Sequence, residues 1–504
     1  MKFFKYMSVA LAIAGLASCS SDYLDTEDHS SMSAETAGEV AAKQPSAFLN
    51  GIWTWNVSHI VSTAHDDFGF MSTLLCFEVE SEDIAFSGSH YFVYDYALDY
   101  RLEQWVRARQ HWALFYTNIA KANEIISLYP NGPQTKAEKL LVGQALAMRG
   151  FSYTYLIQIF QDYMTEDGNA IRKDAPGVPI MMTAADGYSA DEIAALKGRN
   201  TVGKVMEVVE KDLTNAVKYL EDAETDIQYK RSNSDPNAKD CIDAGVANGM
   251  LARYYLLARE WQKAADAANA ARKGYTQRGK DELLDGFMDV TQCDVMWGFN
   301  HTTETSTTYA SFFSHMSSYA PGYGGGYCTK LIDARLYSMI PDNDYRKDLF
   351  NGAEGDQTAP SKGAQLPYAN LKFGDDGQWT MDYIYMRAAE MVLIEAEAYV
   401  RLNMQDKAIA AMKELMENRQ PGWNKSKLTI EDVLLQRRIE LWGEGFAFFD
   451  LKRNNLGINR NYEGSNHLAG HKLVVPAHDV RWTYQLPINE IQENSLINEE
   501  DQNP

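Results

Sequence analysis

Residues 242–271 read IDAGVANGMLARYYLLAREWQKAADAANAA, and this stretch decides the fold. Apolar residues recur at helical spacing on both sides of a two-residue break at Arg259-Glu260, so the stretch predicts two helices, Ile242–Ala258 and Trp261–Ala271, joined by a very short turn. Ala252, Tyr255 and Leu256 on the first face Ala264, Ala265 and Ala268 on the second, and small residues at a crossing let two helices approach closely. The pattern returns at Tyr383–Leu402 and Asp406–Met416, where Ala396, Ala398 and Tyr399 precede Ala408, Ala411 and Leu415.

Amphipathic helices are also predicted over Trp112–Leu128, Lys136–Phe160, Val202–Leu220 (after the N-cap Thr201) and Ile430–Phe449. Helix–turn–helix units with small residues at the crossings are those of tetratricopeptide repeats, although here they are not in tandem. The scaffold occupies about 106–276 and 381–453, and two irregular regions, about 60–105 and 277–380, interrupt it. The second contains the loop signals Thr302–Thr308 and Pro321-Gly322-Tyr323-Gly324-Gly325-Gly326-Tyr327; loops of such length in a compact domain are usually functional or disordered, and their aromatic content argues against disorder. Val295–Phe299, which holds Trp297, reads as a packed strand or turn. Residues 46–504 are read as one domain.

The 504-residue chain has 47 Lys+Arg against 69 Asp+Glu, a net charge of −22 that disfavours nucleic acid and acidic membrane surfaces as partners. Its 29 Tyr outnumber its 20 Phe, and Tyr is the aromatic that tolerates a half-wet position. Lys2, Lys5 and the apolar run Met7–Leu16 read as a signal peptide over 1–18. Leu16-Ala17-Ser18-Cys19 looks like a bacterial lipobox, which makes Cys19 the expected lipidation site and residues 19–45 an extended tether. Cys76, Cys241, Cys293 and Cys328 lack zinc-like spacing and are expected as buried thiols, with disulfides the alternative in an exported protein.

The chain carries no nucleophile elbow, phosphate loop, dinucleotide fingerprint or zinc-protease motif. Neither a metal nor a cofactor is expected. His65-Asp66-Asp67 could serve as a metal or base site, or simply as a loop that bonds its own backbone. Rings in the irregular regions suit a ligand with apolar faces and polar edges, such as an oligosaccharide, and would equally suit a peptide. The candidate binding residues are His65, Asp66, Asp67, Tyr91, Tyr94 and Tyr96 in the first region, and Tyr319, Tyr323 and Tyr327 in the second.

Several motifs together resemble the SusD/RagB-like family of outer-membrane nutrient-binding lipoproteins: Cys19-Ser20-Ser21-Asp22-Tyr23-Leu24-Asp25; Trp112, Tyr116 and Asn123; Arg149-Gly150-Phe151; Met386–Glu390; Tyr484-Gln485-Leu486-Pro487-Ile488. The most specific is Arg437-Arg438-Ile439-Glu440-Leu441 with Phe448-Phe449-Asp450. The resemblance implies an all-α fold of about four tetratricopeptide-like helix pairs with a large, irregular ligand-binding side. It further implies a lipid-anchored, non-enzymatic protein on the outer membrane at the cell surface that binds glycan and hands it to a SusC-like TonB-dependent transporter. A peptide-binding import lipoprotein of the same family is the alternative, and a lipid-anchored glycoside hydrolase a lesser one. The family motifs themselves read as structural, with Arg437, Arg438 and Glu440 ion-paired and Phe448 and Phe449 in the core.

Overall fold

The computed structural model describes residues 38, 40, 41, 43, 45–223, 239–319 and 321–504. The signal segment 1–18, Cys19 and most of the tether lie outside these residues. The tether's described end is helical rather than extended: Gly38, Val40, Ala41 and Lys43 are in helical conformation, and Ala41 is buried.

Helices α1 (Pro45–Trp55) and α2 (Phe70–Glu80) precede the scaffold helices α3 (Val106–Ser127), α4 (Lys136–Phe160), α5 (Val202–Ala223), α6 (Ala244–Ala258) and α7 (Trp261–Ala271). After the short α8 (Phe312–Met316), the scaffold resumes with α9 (Ala388–Arg401), α10 (Gln405–Met416), α11 (Ile430–Glu440) and α12 (Ala447–Arg453). The two helix pairs form as the sequence predicts, α7 packing along α6 and α10 along α9, and α5 additionally packs along α4. Helix α7 also packs against α9, so repeats far apart in sequence stack directly in space. A Cβ on Gly143 or Gly150 of α4 would come within 2.8 Å of Leu220 or Leu213 of α5, so these two glycines set how closely that pair approaches.

Three regions depart from the sequence reading. Tyr383–Leu402 divides into a strand and α9, because Tyr383–Arg387 pairs with Val295–Phe299. Ile430–Phe449 is two helices, broken where Gly443 (φ 80°) and Gly445 (φ 90°) turn left-handed. The first irregular region contains α2, whose eleven residues are all buried. A helix covered on every side has no apolar stripe for periodicity to detect.

Short antiparallel ribbons tie the irregular parts together. Strands β1 (Ile84–Phe86), β2 (Val295–Phe299), β3 (Lys330–Ile332) and β4 (Tyr383–Arg387) pair as β1–β3 and β2–β4. The first ribbon fastens the first irregular region to the second; the other closes the insertion back onto α9. Cys76 and Cys328 are buried, Cys241 and Cys293 half-buried, and none of the four is in a disulfide.

Beneath the ribbons lies a buried charge network. Glu440 accepts from Arg419 (2.8 and 2.9 Å), Arg387 (3.1 Å) and Arg346 (3.3 Å). Arg387 also binds Asp294 (2.9 Å) and Glu444 (2.8 and 2.9 Å), and Asp294 accepts from Arg278 at 2.5 Å. All the guanidiniums are at most 1 % exposed. Burial alone would raise the Glu440 carboxyl, but Arg419, Arg387 and Arg346 outweigh it and hold it well below the usual carboxylate range. Elsewhere Arg437 pairs with Asp450 (2.7 Å) and Arg438 with Glu82 (3.0 Å) and Asp83, while Phe448 and Phe449 are core.

Removing one member of such a network strands the others. Glu440→Ala is expected to destabilise the protein by about 3–5 kcal/mol, read as a fall in Tm. A carboxyl whose folded pKa is depressed contributes stability that is full above its unfolded value of 4.5 and is lost as pH falls through the folded value. The native chain should therefore lose Tm progressively below pH 4.5, and E440A should lose less over the same interval. Equal acid sensitivity in both would exclude Glu440 as a contributor.

Candidate functional site

The β1–β3 pairing places the loop that follows β1 beside the glycine-rich turn that precedes β3. Between them opens a cleft of about 610 Å³, lined by His65, His90 and Tyr91 from the first irregular region and Tyr309, Pro321, Tyr323 and Tyr327 from the second. Tyr323 is its hub. Its hydroxyl meets His65 Nδ1 at 2.5 Å, although the two residues are 258 apart in sequence. Its ring stacks on His315 (4.8 Å, 15°) and meets Tyr91 edge-on (5.1 Å, 68°) and His90 (4.8 Å, 34°). Tyr309 reaches it at 6.2 Å, and Tyr327, 68 % exposed, at 6.0 Å.

The hub is anchored from below. His315, on α8, stacks on Phe68 in the core (5.7 Å, 17°) and donates Nε2–H to His65 O (2.8 Å). Phe68, His315 and Tyr323 thus form a column of near-parallel rings from core to cleft floor. Burial first, then the charge of Lys330, pushes the His315 imidazole well below 6.5, so it is neutral at neutral pH. The same two causes lower His90. Burial and the adjacent Tyr91 raise the Tyr323 phenol. No Asp, Glu, Lys or Arg lines the cleft among the described residues.

The glycines of 322–326 serve the same end. A Cβ on Gly324 would lie 2.4 Å from Ser317 O and 2.8 Å from His315 O, and one on Gly322 would lie 2.7 Å from Ser314 O. Only glycine lets the turn lie this tightly on α8, and that closeness stacks Tyr323 on His315.

Of the residues singled out from the sequence, His65, Tyr91, Tyr323 and Tyr327 meet in this cleft and the other five do not. Asp67 is buried and accepts from the amides of Ile60 (2.9 Å), Val61 (2.8 Å) and Ser62 (3.0 Å), which makes it a loop anchor. Asp66 binds Arg107 (3.0 Å), which also holds Asp95 (2.7 and 2.8 Å). These acids fasten the first region to α3. Tyr96 is fully buried, stacked on Phe86 (4.3 Å, 3°) with its hydroxyl 2.5 Å from His467 Nδ1, and so cannot meet a ligand. Tyr319 is half-buried with Asp356 nearby and does not line the cleft. Tyr94 is exposed, but it stacks on Tyr100 outside the cleft. His90, Tyr309 and Pro321 escaped the sequence reading; the available signal was only that each lies in one of the two aromatic irregular regions.

A second groove, about 910 Å³, runs between α3 and residues 490–496. Its rings belong to the scaffold: Trp112 is buried and Tyr116 donates its hydroxyl to Pro179 O at 2.7 Å. The smaller cleft is therefore the stronger candidate, because its lining is almost wholly Tyr and His rings that do not serve the helical scaffold.

Gly324→Ala is expected to cost about 1–3 kcal/mol and to displace Tyr323 from His315. Gly326→Ala, whose Cβ would meet nothing within 4 Å, should leave Tm nearly unchanged. Equal melting of the two variants would show that close packing at 324 does not matter.

Comparison with known proteins gives a consistent picture. Residues 152–504 match the model of the SusD family, and residues 22–240 match one described as starch-binding, associating with the outer membrane. A SusD-like protein of Formosa agariphila is 22% identical over 395 residues, covering 69% of this chain and 72% of that one. Among solved structures, a SusD-like carbohydrate binding protein from Bacteroides vulgatus superposes with TM-score 0.74 at 23% identity, covering 92% of this chain and 98% of that chain. A laminarin binding SusD-like protein superposes with TM-score 0.63 at 17% identity, covering 92% and 99%.

Proposed function

The chain belongs to the SusD family, and from that premise we propose that it binds neutral oligosaccharides and polysaccharide fragments in the Tyr323 cleft. The observation that carries this reading is the cleft's chemistry: rings and hydroxyls converge, and no charged side chain lines it among the described residues. A sugar ring offers an apolar C–H face to stack on Tyr and hydroxyl edges for phenol and imidazole groups to bond. A polyanion or a charged peptide terminus would find no counter-charge there. The family relationship and the laminarin binding of one structural relative favour the same ligand class. Glycoside hydrolysis uses a pair of carboxylates flanking the bond, and the cleft offers none, which favours binding over catalysis.

In this proposal Cys19 carries the lipid anchor, the protein sits on the outer-membrane surface, and a SusC-like TonB-dependent transporter receives the bound glycan. Each stacked ring contributes about 1 kcal/mol, so the grip is modest and release for hand-over is fast.

Calorimetric titration of the chain with laminarin, soluble starch, xylan, galactomannan and a tryptic peptide digest tests the ligand class. At least one neutral glycan should bind, and Tyr323→Ala should weaken it by about fivefold or more, the equivalent of one lost ring contact. Heat from the peptide digest alone would reject the glycan reading in favour of peptide import, and release of reducing sugar would replace binding with hydrolysis.

A further inference from the structure

Tyr94, Tyr100 and Trp105 form a second aromatic surface outside the cleft. Tyr94 and Tyr100 stack at 4.8 Å and 23°, and Tyr100 meets Trp105 at 5.3 Å and 39°. Tyr94 is 54 % exposed and Trp105 42 %, in a protein that buries most of its large aromatics. The buried indoles of Trp297, Trp442 and Trp482 each donate N–H to a backbone carbonyl, whereas that of Trp53 is buried without a partner. The Trp105 indole and the Tyr94 and Tyr100 hydroxyls have no hydrogen-bond partner in the protein among the described residues, and the exposed Asp99 adjoins them, its amide donating to Tyr94 O at 2.9 Å.

The backbone holds this surface in place at some strain. Phe92 (φ 67°) and Leu98 (φ 59°) are both left-handed without being glycine, and they bracket the single helical turn Val93–Tyr96. The inward half of that turn is locked: Asp95 by Arg107, and Tyr96 between Phe86 and the Arg460 guanidinium, 4.3 Å from its ring. The outward half is Tyr94. A rigid, strained turn that presents a flat ring with unpartnered polar edges fits a ligand better than it fits folding.

We propose that Tyr94, Tyr100 and Trp105 are a second glycan-binding platform, separate from the Tyr323 cleft and taking the same class of neutral polysaccharide; this rests on the glycan reading of the protein. Tyr91 of the cleft and Tyr94 of the platform lie three residues apart on one short segment. A long polymer can thus engage both surfaces, and the second contact becomes intramolecular once the first is made. An oligosaccharide short enough to fill the cleft alone gains nothing from the platform.

Affinity gel electrophoresis of the chain in laminarin, soluble starch, xylan and galactomannan tests the proposal, with trisaccharides of the retarding polymer as the short probe in calorimetry. The double variant Tyr94→Ala/Trp105→Ala should melt as the native protein does, bind the polymer about tenfold more weakly and keep its trisaccharide affinity in the cleft. Trp105→Phe, which keeps a flat ring, should retain most of the polymer binding. Retardation equal to native in every gel overturns the platform. Loss on Tyr94→Ala/Trp105→Ala with none on Tyr323→Ala leaves the platform standing and removes the cleft. If no polymer retards the native chain, both readings fall together.

Discussion

Everything in this fold depends on charges that the interior cannot afford to leave unpaired. Glu440 alone accepts from three arginines, and Arg387 bridges it to Asp294 and Glu444. Moving such groups out of water is costly unless every partner is in place, so the network tolerates one arrangement only. Its members come from the insertion after α7 (Arg278, Asp294 and Arg346), from β4 (Arg387), from just after α10 (Arg419), and from the end of α11 and the turn beyond it (Glu440 and Glu444). Scaffold and insertion are therefore tied to each other through buried ion pairs.

That fixity reaches the surface through aromatic stacking. The column Phe68–His315–Tyr323 carries the order of the core to the cleft floor, and the glycines of 322–326 let the upper loop descend onto it. The acidic residues of the first region serve the same purpose, with Asp66 and Asp95 on Arg107 and Asp67 on three backbone amides. Charge does the anchoring below; neutral rings and hydroxyls line the cleft above it. A ligand in such a cleft would meet shape and hydroxyl pattern instead of charge.

The helical half of this architecture was legible in the sequence because amphipathic periodicity is a local property. Lys136–Phe160 and Trp261–Ala271 were read to the residue, and α5 and α10 nearly so. Periodicity failed where burial was complete, as in α2, and where a distant partner decided the state, as in β4. The cleft was half legible. That Tyr and His concentrate in two loop regions is plain in the sequence, and several of them line the cleft. Which of them point outward could not, because Tyr91 and Tyr96 differ only in which side of a strained turn they occupy. Asp67 looked like a possible ligand group for the same reason: a carboxylate that accepts backbone amides and one that meets a ligand are identical in sequence. The meeting of His65 with Tyr323 follows from the β1–β3 ribbon, a pairing between short strands that carry no sequence signal of their own.

Helix α2 has a further consequence, concerning time. Glu78 accepts amides from Gly443 (2.9 Å), Gly445 (2.9 Å), Phe446 (3.1 Å) and Ala447 (3.4 Å), more than 360 residues further along the chain. A chain that emerges from its N-terminus can build α3–α7 early from local contacts, but α2 lacks its cover until the segment after α11 appears. Until then a helix that ends up buried on every side, with its carboxylate Glu78, stands open to water, together with arginines whose acids have yet to arrive. Assembly must therefore finish in one late, cooperative closure, and the unfinished chain is a natural client for whatever shields exposed apolar surface along its route.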